Sequence, residues 1–195
     1  MNFKKILLIA VAVLMTATVS VGAKRQPAIF NKVDKKAMES WVNSTFKSLS
    51  PDERIAQLIV MAVNPRGADA ETLVKKYVAD YKIGGLIYNE NDIVTQAKLT
   101  NYAQSLSKVP LMITLDAEWG LSMRLENAPK FPRNLFLGAI SDDKFFYEYG
   151  QEVARECKRM GVNVNFAPVL DVIDRQKTVL GTRASGSNPT LVGNH

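Results

Sequence analysis

The chain has 195 residues, of which 47% are hydrophobic and 23% charged, with a formal net charge of +6. This length allows one domain with a proper core, and the composition is that of a globular protein rather than a disordered chain. The basic residues are scattered, which argues against a nucleic-acid partner, and the single cysteine, Cys157, excludes an internal disulfide and a multi-cysteine metal site.

The first 23 residues predict a secretory signal peptide. Lys4 and Lys5 precede an apolar run over 6–19, and Val21-Gly22-Ala23 is a small-residue cleavage site. The alternative, an uncleaved membrane anchor, is disfavoured because the run is shorter than the roughly 20 residues that a spanning helix needs. We therefore expect an exported protein, periplasmic or extracellular, that has no membrane attachment after cleavage.

Helical and strand patterns alternate along the rest of the chain. After an extended lead-in over 24–31, apolar residues at helical spacing predict helices over 33–49, 73–81, 93–106 and 141–160. A capping box from Ser50 to Glu53 predicts a further short helix. Apolar runs predict buried strands over 58–63, 83–88, 110–115 and 162–166. Residues from 169 onward show no regular pattern.

This alternation predicts parallel strands joined by right-handed crossovers. A closed eightfold barrel needs about 250 residues, and only four strands are visible. The sequence therefore predicts an α/β fold that is about the first half of a TIM-like (β/α) barrel. The strands near 59 and 162 are then unpaired edges.

The strand over 110–115 leads into the most chemically varied stretch of the chain. Its unbroken apolar run is typical of a strand that is covered on both faces. Two acids, an indole, a glycine and a guanidinium follow within nine positions: Asp116, Glu118, Trp119, Gly120 and Arg124. Ligand sites of α/β proteins collect at this edge of the sheet, so the long loop over 116–140 is predicted to be functional.

Three sequence blocks resemble motifs of glycoside hydrolase family 3 in their residues, order and spacing. The blocks are ITLDAEWG at 113–120 with Arg124, GVNVNFAPVLDV at 161–172 and GTRASGSNP at 181–189. The likeness runs from about Leu49 to the end and looks closest to the β-N-acetylhexosaminidase-like branch. With the signal peptide over 1–23 and the lead-in and helix over 24–49 that the residue patterns predict, the resemblance implies a partial family 3 N-terminal barrel domain over 50–195.

The resemblance implies a retaining glycosidase for terminal β-linked sugars, of the β-N-acetylhexosaminidase or β-glucosidase type, with no metal or organic cofactor. It assigns substrate binding to Asp116, Arg124 and Arg183: the carboxylate accepts hydrogen bonds from sugar hydroxyls and the two arginines donate to them. No catalytic residue is expected here, because the family's Lys-His pair and nucleophilic aspartate lie downstream of the third block. The fragment alone is therefore expected to be inactive.

Several alternatives stay open at this stage. Asp116 and Glu118 also fit a general acid and base, or caps of the next helix. Arg124 either contacts sugar or pairs with Glu126 or Asp116. Arg183 lies in a glycine- and serine-rich loop with no nearby acid in sequence. The rival function is a non-catalytic exported half-barrel that binds carbohydrate, and the sequence defines no oligomeric state.

Other residues near the three blocks are equally ambiguous. Asp171 either lines the pocket or stabilises a turn, and Trp119 either stacks on a sugar ring or packs under its loop. His195 is a lone terminal histidine preceded by asparagine, so it does not match the Lys-His motif. Leu121 and Ser122 stand where the hexosaminidase branch often has glycine and arginine, which leaves the preferred sugar undecided.

Overall fold

The computed structural model describes residues 33–173 and 179–194. The predicted signal peptide, the lead-in and His195 lie outside these ranges. The chain divides into two compact units, one up to Lys47 and one from Ser48. Helix α1 (Lys35–Ser48) forms close to its predicted range. Within the described ranges, no helix is both long and apolar enough to cross a membrane.

The second unit is built on a parallel sheet of four strands in the order β1-β2-β3-β4. The strands are β1 (Val60–Val63), β2 (Gly85–Tyr88), β3 (Met112–Leu115) and β4 (Val164–Asn165). Val60 pairs with Gly85, Gly85 with Met112, and Thr114 with Val164. Parallel strands in sequential order confirm the predicted α/β fold. Among the described residues they form an open part of a TIM-like barrel.

Helical segments connect the strands. They are α2 (Pro51–Ala56), α3 (Ala70–Lys75) with a π-helical continuation (Lys76–Asp80), α4 (Ile93–Leu106), a 3-10 turn (Leu121–Met123), α5 (Asn134–Leu137), α6 (Asp143–Arg159) and α7 (Pro189–Asn194). The predicted capping box is present: the Glu53 N–H donates to Ser50 Oγ at 3.2 Å, and the Ser50 N–H donates to Glu53 Oε2 at 2.8 Å. Asp92 and Asp142 cap α4 and α6 with side chains that accept hydrogen bonds from backbone N–H groups of the first turn.

The core lies between the sheet and the helices that cover it. Leu86, Ile113 and Leu115 from the two central strands are fully buried, as is Val74 from α3. The predicted apolar stripe of α6 also packs here, with Val153 and Cys157 buried. Burial of this apolar surface holds the strands in register and fixes the positions of the loops that follow them.

Some predicted elements differ from those observed. The strand over 58–63 was predicted to be buried, but Leu58 precedes β1 and is 84% exposed, and Val60 is 41% exposed. The reason is that β1 has only β2 as a neighbour among the described strands. The fourth strand is two residues long rather than five, and the 116–140 loop contains both the 3-10 turn and α5.

Helix α7 was missed because six residues are too few to show a helical period. Its signal was Asn188-Pro189, a cap residue followed by proline at the first helical position. The side chain of Asn188 accepts a hydrogen bond from the Thr190 N–H at 2.9 Å.

Candidate functional site

The loops that follow β2 and β3 are joined at the carboxyl edge of the sheet. The Asn91 N–H donates to the Arg124 carbonyl at 2.8 Å, and the Glu126 N–H donates to the Asn91 carbonyl at 3.0 Å. The Asn91 side chain is fully buried and donates to the Asn89 carbonyl at 2.7 Å. These bonds hold the two loops as one surface, so side chains from both strands keep a fixed spacing.

Asp116 and Arg124 form an ion pair on this surface. Arg124 Nη2 donates to Asp116 Oδ2 at 3.0 Å, and Arg124 Nη1 donates to Glu90 Oε1 at 2.8 Å. The side chains of Asp116 and Arg124 are 37% and 23% exposed, so both remain accessible to a ligand. The pairing with Asp116 is confirmed, whereas the alternative partner Glu126 binds Arg66 at 2.7 Å instead.

Arg183 and Glu118 form a second ion pair, in which the carboxylate is buried and the arginine is partly exposed. Arg183 Nε lies 2.9 Å from Glu118 Oε2, and Arg183 Nη2 lies 2.6 Å from Glu118 Oε1. No acid lies near Arg183 in sequence, and the fold supplies its partner by bringing together residues 65 positions apart. Glu118 does not cap the following helix. Its side chain is 6% exposed and forms a two-pronged contact with the guanidinium.

Helix α5 holds the backbone that carries Arg183. Asn134 Nδ2 donates to the Arg183 carbonyl at 2.6 Å, and the Leu135 N–H donates to the Thr182 carbonyl at 3.2 Å. Gly138 ends α5 against Ser185, where a Cβ would lie 1.6 Å from the Ser185 carbonyl oxygen. A glycine is needed at this position because any side chain would push the two backbones apart.

Electrostatics link the two ion pairs. The pKa of Arg183 is raised first by its hydrogen bonds to Glu118 and by that residue's charge, and then by the charges of Asp171 and Asp116. Asp116 and Asp171 therefore lie close enough to Arg183 for their negative charges to stabilise its guanidinium. The structure brings together the three predicted binding residues, Asp116, Arg124 and Arg183, with two further acids that sequence left ambiguous.

The underside of the site is packed by aromatic rings. The Tyr149 hydroxyl donates to the Glu118 carbonyl at 3.5 Å, and the Tyr149 ring meets Phe131 edge to face with centroids 5.2 Å apart. Burial raises the pKa of Tyr149 to about 12. Gly120 adopts a φ of +89°, and a Cβ there would lie 2.6 Å from the Phe131 ring. The turn after Glu118 therefore requires glycine for both its backbone conformation and its packing.

Trp119 lies beside Arg133, whose guanidinium carbon is 4.5 Å from the centre of the indole ring. Arg133 also donates to the Thr182 hydroxyl at 3.2 Å. This cation–π contact covers one ring face and ties Trp119 to the segment that carries Arg183. Trp119 therefore packs against its own loop, which was one of the two alternatives, stacking on a sugar ring being the other.

A cavity of about 590 Å³ adjoins the site. Its wall consists mainly of apolar side chains from α6 and from residues 161–170, and its polar members include Glu118, Asn134, Lys158, Asn163, Asn165 and Ser185. Glu118 lines this cavity and also binds Arg183, which is not among the lining residues. Among the residues that the structure describes, no cluster of three or more His, Cys, Asp or Glu side chains is placed to hold a metal ion.

The arrangement offers carboxylate acceptors and guanidinium donors side by side at the carboxyl ends of parallel strands. Such charge-assisted groups bind neutral hydroxyls strongly and fix the orientation of a polyhydroxylated ligand. Sequence reasoning missed Glu90 as a partner of Arg124 and Glu118 as the partner of Arg183. Both missed acids are distant in sequence from the arginines that they bind, so only the alternating strand pattern pointed to a shared edge.

A parallel sheet whose strands alternate with helices and whose carboxyl edge carries polar side chains is the architecture of a partial (β/α) barrel. Residues 50–195 match the Glycosyl hydrolase family 3 N terminal domain, and the chain belongs to this family. It is 29% identical over 149 residues to beta-hexosaminidase LpqI of Mycobacterium tuberculosis, which covers 74% of this chain and 37% of that protein. The resemblance to family 3 is thereby confirmed.

Solved structures agree on the fold. NagZ from Neisseria gonorrhoeae in complex with N-trifluoroacetyl-D-glucosamine is 25% identical, with a TM-score of 0.59 over 70% of this chain and 43% of NagZ. Beta-glucoside phosphorylase BglX bound to 2FGlc is 24% identical, with a TM-score of 0.75 over 83% of this chain and 29% of that one. The chain thus spans less than half the length of these relatives.

Proposed function

We propose that the complete protein is a glycoside hydrolase that removes terminal β-linked sugars, and that this chain supplies the part that binds the sugar hydroxyls. The observation that carries the proposal is the Asp116–Arg124 ion pair, exposed at the carboxyl edge of the sheet with N–O distance 3.0 Å. Family membership and the names of the relatives support the reaction class.

The roles of the binding residues follow from their hydrogen-bonding capacity. Asp116 accepts hydrogen bonds from two neighbouring hydroxyls of the terminal sugar, and Arg124 donates to the same ring. Arg183 adds a donor from a different loop. Hydrogen bonds to charged groups each contribute about 1.5–3 kcal/mol, so three such residues are enough to select one ring orientation.

The reaction is proposed to be a retaining double displacement. It requires a nucleophile and an acid/base group about 5 Å apart on either side of the glycosidic bond. The resemblance assigns the nucleophile and the Lys-His pair to positions downstream of the 181–189 block. We therefore expect the 195-residue chain by itself to bind sugar without cleaving it.

The terminal sugar is N-acetylglucosamine or glucose. Relatives carry names of both kinds, among them a beta-N-acetylglucosaminidase/beta-glucosidase of Cellulomonas fimi that is 25% identical over 154 residues. Leu121 and Ser122 depart from the pattern of the hexosaminidase branch, so a direct comparison of the two sugars is needed. The predicted signal peptide over 1–23 supports export, with glycans outside the cytoplasm as the substrate.

Hydrolysis of p-nitrophenyl β-glycosides tests the reaction class. The panel contains the β-N-acetylglucosaminide, the β-glucoside and, as a stereochemical control, the α-glucoside. It is assayed with the chain from Lys24 and with the same chain extended by any residues encoded after His195. We expect turnover of a β-glycoside by the extended form alone. Sugar binding without turnover in either form supports the rival carbohydrate-binding module, and absence of both refutes the proposal.

A further inference from the structure

We propose that Glu118 is the positioning residue for Arg183: it binds two of the three guanidinium nitrogens and leaves Nη1 for a sugar hydroxyl. This inference rests on the proposed function. The Glu118 carboxylate accepts hydrogen bonds from Arg183 Nε at 2.9 Å and from Nη2 at 2.6 Å. Two parallel bonds of this kind fix both the orientation of the guanidinium plane and its distance from the carboxylate. In the described part of the chain, Nη1 of Arg183 donates to no acceptor.

Glu118 is itself held rigidly. The Asn165 side chain accepts from the Ala117 N–H at 2.9 Å and donates to the Ala117 carbonyl at 3.2 Å, which ties the preceding residue to β4. The Glu118 N–H donates to Met123 Sδ at 3.4 Å, and its carbonyl accepts from the Tyr149 hydroxyl at 3.5 Å. Contacts with β4, the 3-10 turn and α6 therefore hold the Glu118 backbone in place independently of Arg183.

In the described part of the chain Arg183 pairs with one acid, whereas Arg124 pairs with two. The Arg183 side chain is 40% exposed, while that of Arg124 is 23% exposed. An unrestrained arginine loses side-chain conformational entropy when a ligand immobilises it. The contact with Glu118 incurs that loss during folding, so a sugar meets a donor that is already in place.

The two arginines therefore serve different purposes. Arg124 donates through Nη1 to Glu90 and through Nη2 to Asp116. Its ion pair therefore fixes the position of the Asp116 carboxylate, the proposed acceptor, as well as that of its own guanidinium. The Glu118 side chain is 6% exposed, and both of its carboxylate oxygens accept hydrogen bonds from Arg183. Its contribution to binding must act through the guanidinium.

A double-mutant cycle tests this coupling. Trp41→Phe leaves Trp119 as the single tryptophan, because the chain has two. In that background, E118Q, R183A and the double variant are titrated with N-acetylglucosamine and with glucose at micromolar protein. Glutamine keeps the size of Glu118 but loses its charge and one acceptor oxygen. The matched control is E126Q, which alters the exposed Arg66–Glu126 pair outside the site.

A second readout needs no sugar. Phenylglyoxal modifies arginines at a rate that falls when the guanidinium is held by a carboxylate, and peptide mass spectrometry reports each arginine separately. E118Q is expected to speed modification of Arg183 several-fold and leave Arg66 unchanged. E126Q is expected to do the reverse.

We expect E118Q to weaken sugar binding by about tenfold, and the double variant to bind no more weakly than R183A. Additive effects of E118Q and R183A, or an Arg183 modification rate that E118Q leaves unchanged, would overturn the positioning role. If the W41F chain binds neither sugar, the proposed function fails for this chain, and the modification rates then decide the positioning role by themselves.

Discussion

Arg124 donates to the Asp116 carboxylate at 3.0 Å, so one predicted sugar-binding group holds the other in place before any ligand arrives. The pair stays partly open to solvent, with 37% of the Asp116 side chain exposed. Because Arg124 also binds Glu90 at 2.8 Å, the guanidinium bridges the loops that follow β2 and β3. The position of the candidate acceptor therefore depends on two neighbouring strands.

Arg124→Ala removes a donor and leaves Asp116 without its guanidinium partner. We expect sugar binding to weaken about tenfold or more. Melting temperature should change little, because exposed ion pairs contribute about 0–1 kcal/mol. Titration of the W41F chain measures the first effect and scanning fluorimetry the second. Arg66→Ala, which breaks an ion pair outside the site, is the control; equal losses in both variants would contradict the assignment.

Gly138→Ala tests the contact between α5 and the Arg183 segment. The new methyl group would lie 1.6 Å from the Ser185 carbonyl, so the two backbones must separate. We expect a loss of stability of about 1–3 kcal/mol together with weaker sugar binding. Gly150→Ala is the matched control, because a Cβ there meets nothing within 4 Å in helix α6. That change should raise helix stability by about 0.5–1 kcal/mol.

Glu156 gives a pH-dependent prediction. It is 6% exposed, and in the described part of the chain no side chain donates to its carboxylate oxygens, so the nearby Leu121 backbone N–H offsets their burial only in part. Burial, and then the charge of Glu152, raises the pKa of Glu156 above its model-compound value of 4.5. The folded chain therefore binds this proton more tightly than the unfolded chain, and folding loses stability as pH rises through and above that value.

Glu156→Gln is permanently neutral and should escape this loss. At pH 7 we expect its free energy of unfolding to exceed that of the wild-type chain by about 1 kcal/mol. This difference should vanish near pH 3.5. Glu148→Gln on the same helix is the control, since Glu148 is solvent-facing and pairs with Lys144 at 3.6 Å. A difference between E156Q and wild type that does not vary with pH would refute the prediction.

The sheet edges predict association of the chain when it is expressed alone. β1 and β4 each have one neighbour among the described strands, and apolar side chains lie exposed beside them, including Leu58 at 84% and Phe166 at 53%. Open apolar edges recruit further strands. We expect sedimentation velocity to show concentration-dependent association that Leu58→Lys reduces. A single monomeric species with a cooperative melt would contradict this.

The order of elements was predictable because strong local signals mark it. The capping box at Ser50 and the acid caps at Asp92 and Asp142 place helix starts, and the apolar run at 111–115 places β3. Burial was less predictable. Residues 58–60 have the same apolar character as 113–115, and only the position of β1 at the end of the described sheet explains why they are exposed.

The sequence predicted which residues belong to the site, but not which of them pair with one another. Asp116 and Arg124 lie eight residues apart, so their pairing was one of two sequence-level alternatives. The Glu118–Arg183 contact spans 65 residues and depends on α5 holding the distant loop in place. No local pattern encodes such a contact, because it results from packing of the whole unit.

The most direct test of the central claim is a fluorescence titration of the W41F chain, and of its Asp116→Ala variant, with N-acetylglucosamine and glucose. Trp119 lies within the loop that carries Asp116 and Arg124, so occupation of the site should alter its emission. We predict a saturable change with at least one of the two sugars that is lost in the Asp116→Ala variant. No saturable change, or one that survives removal of the Asp116 carboxylate, would contradict a sugar-binding site at this edge of the sheet.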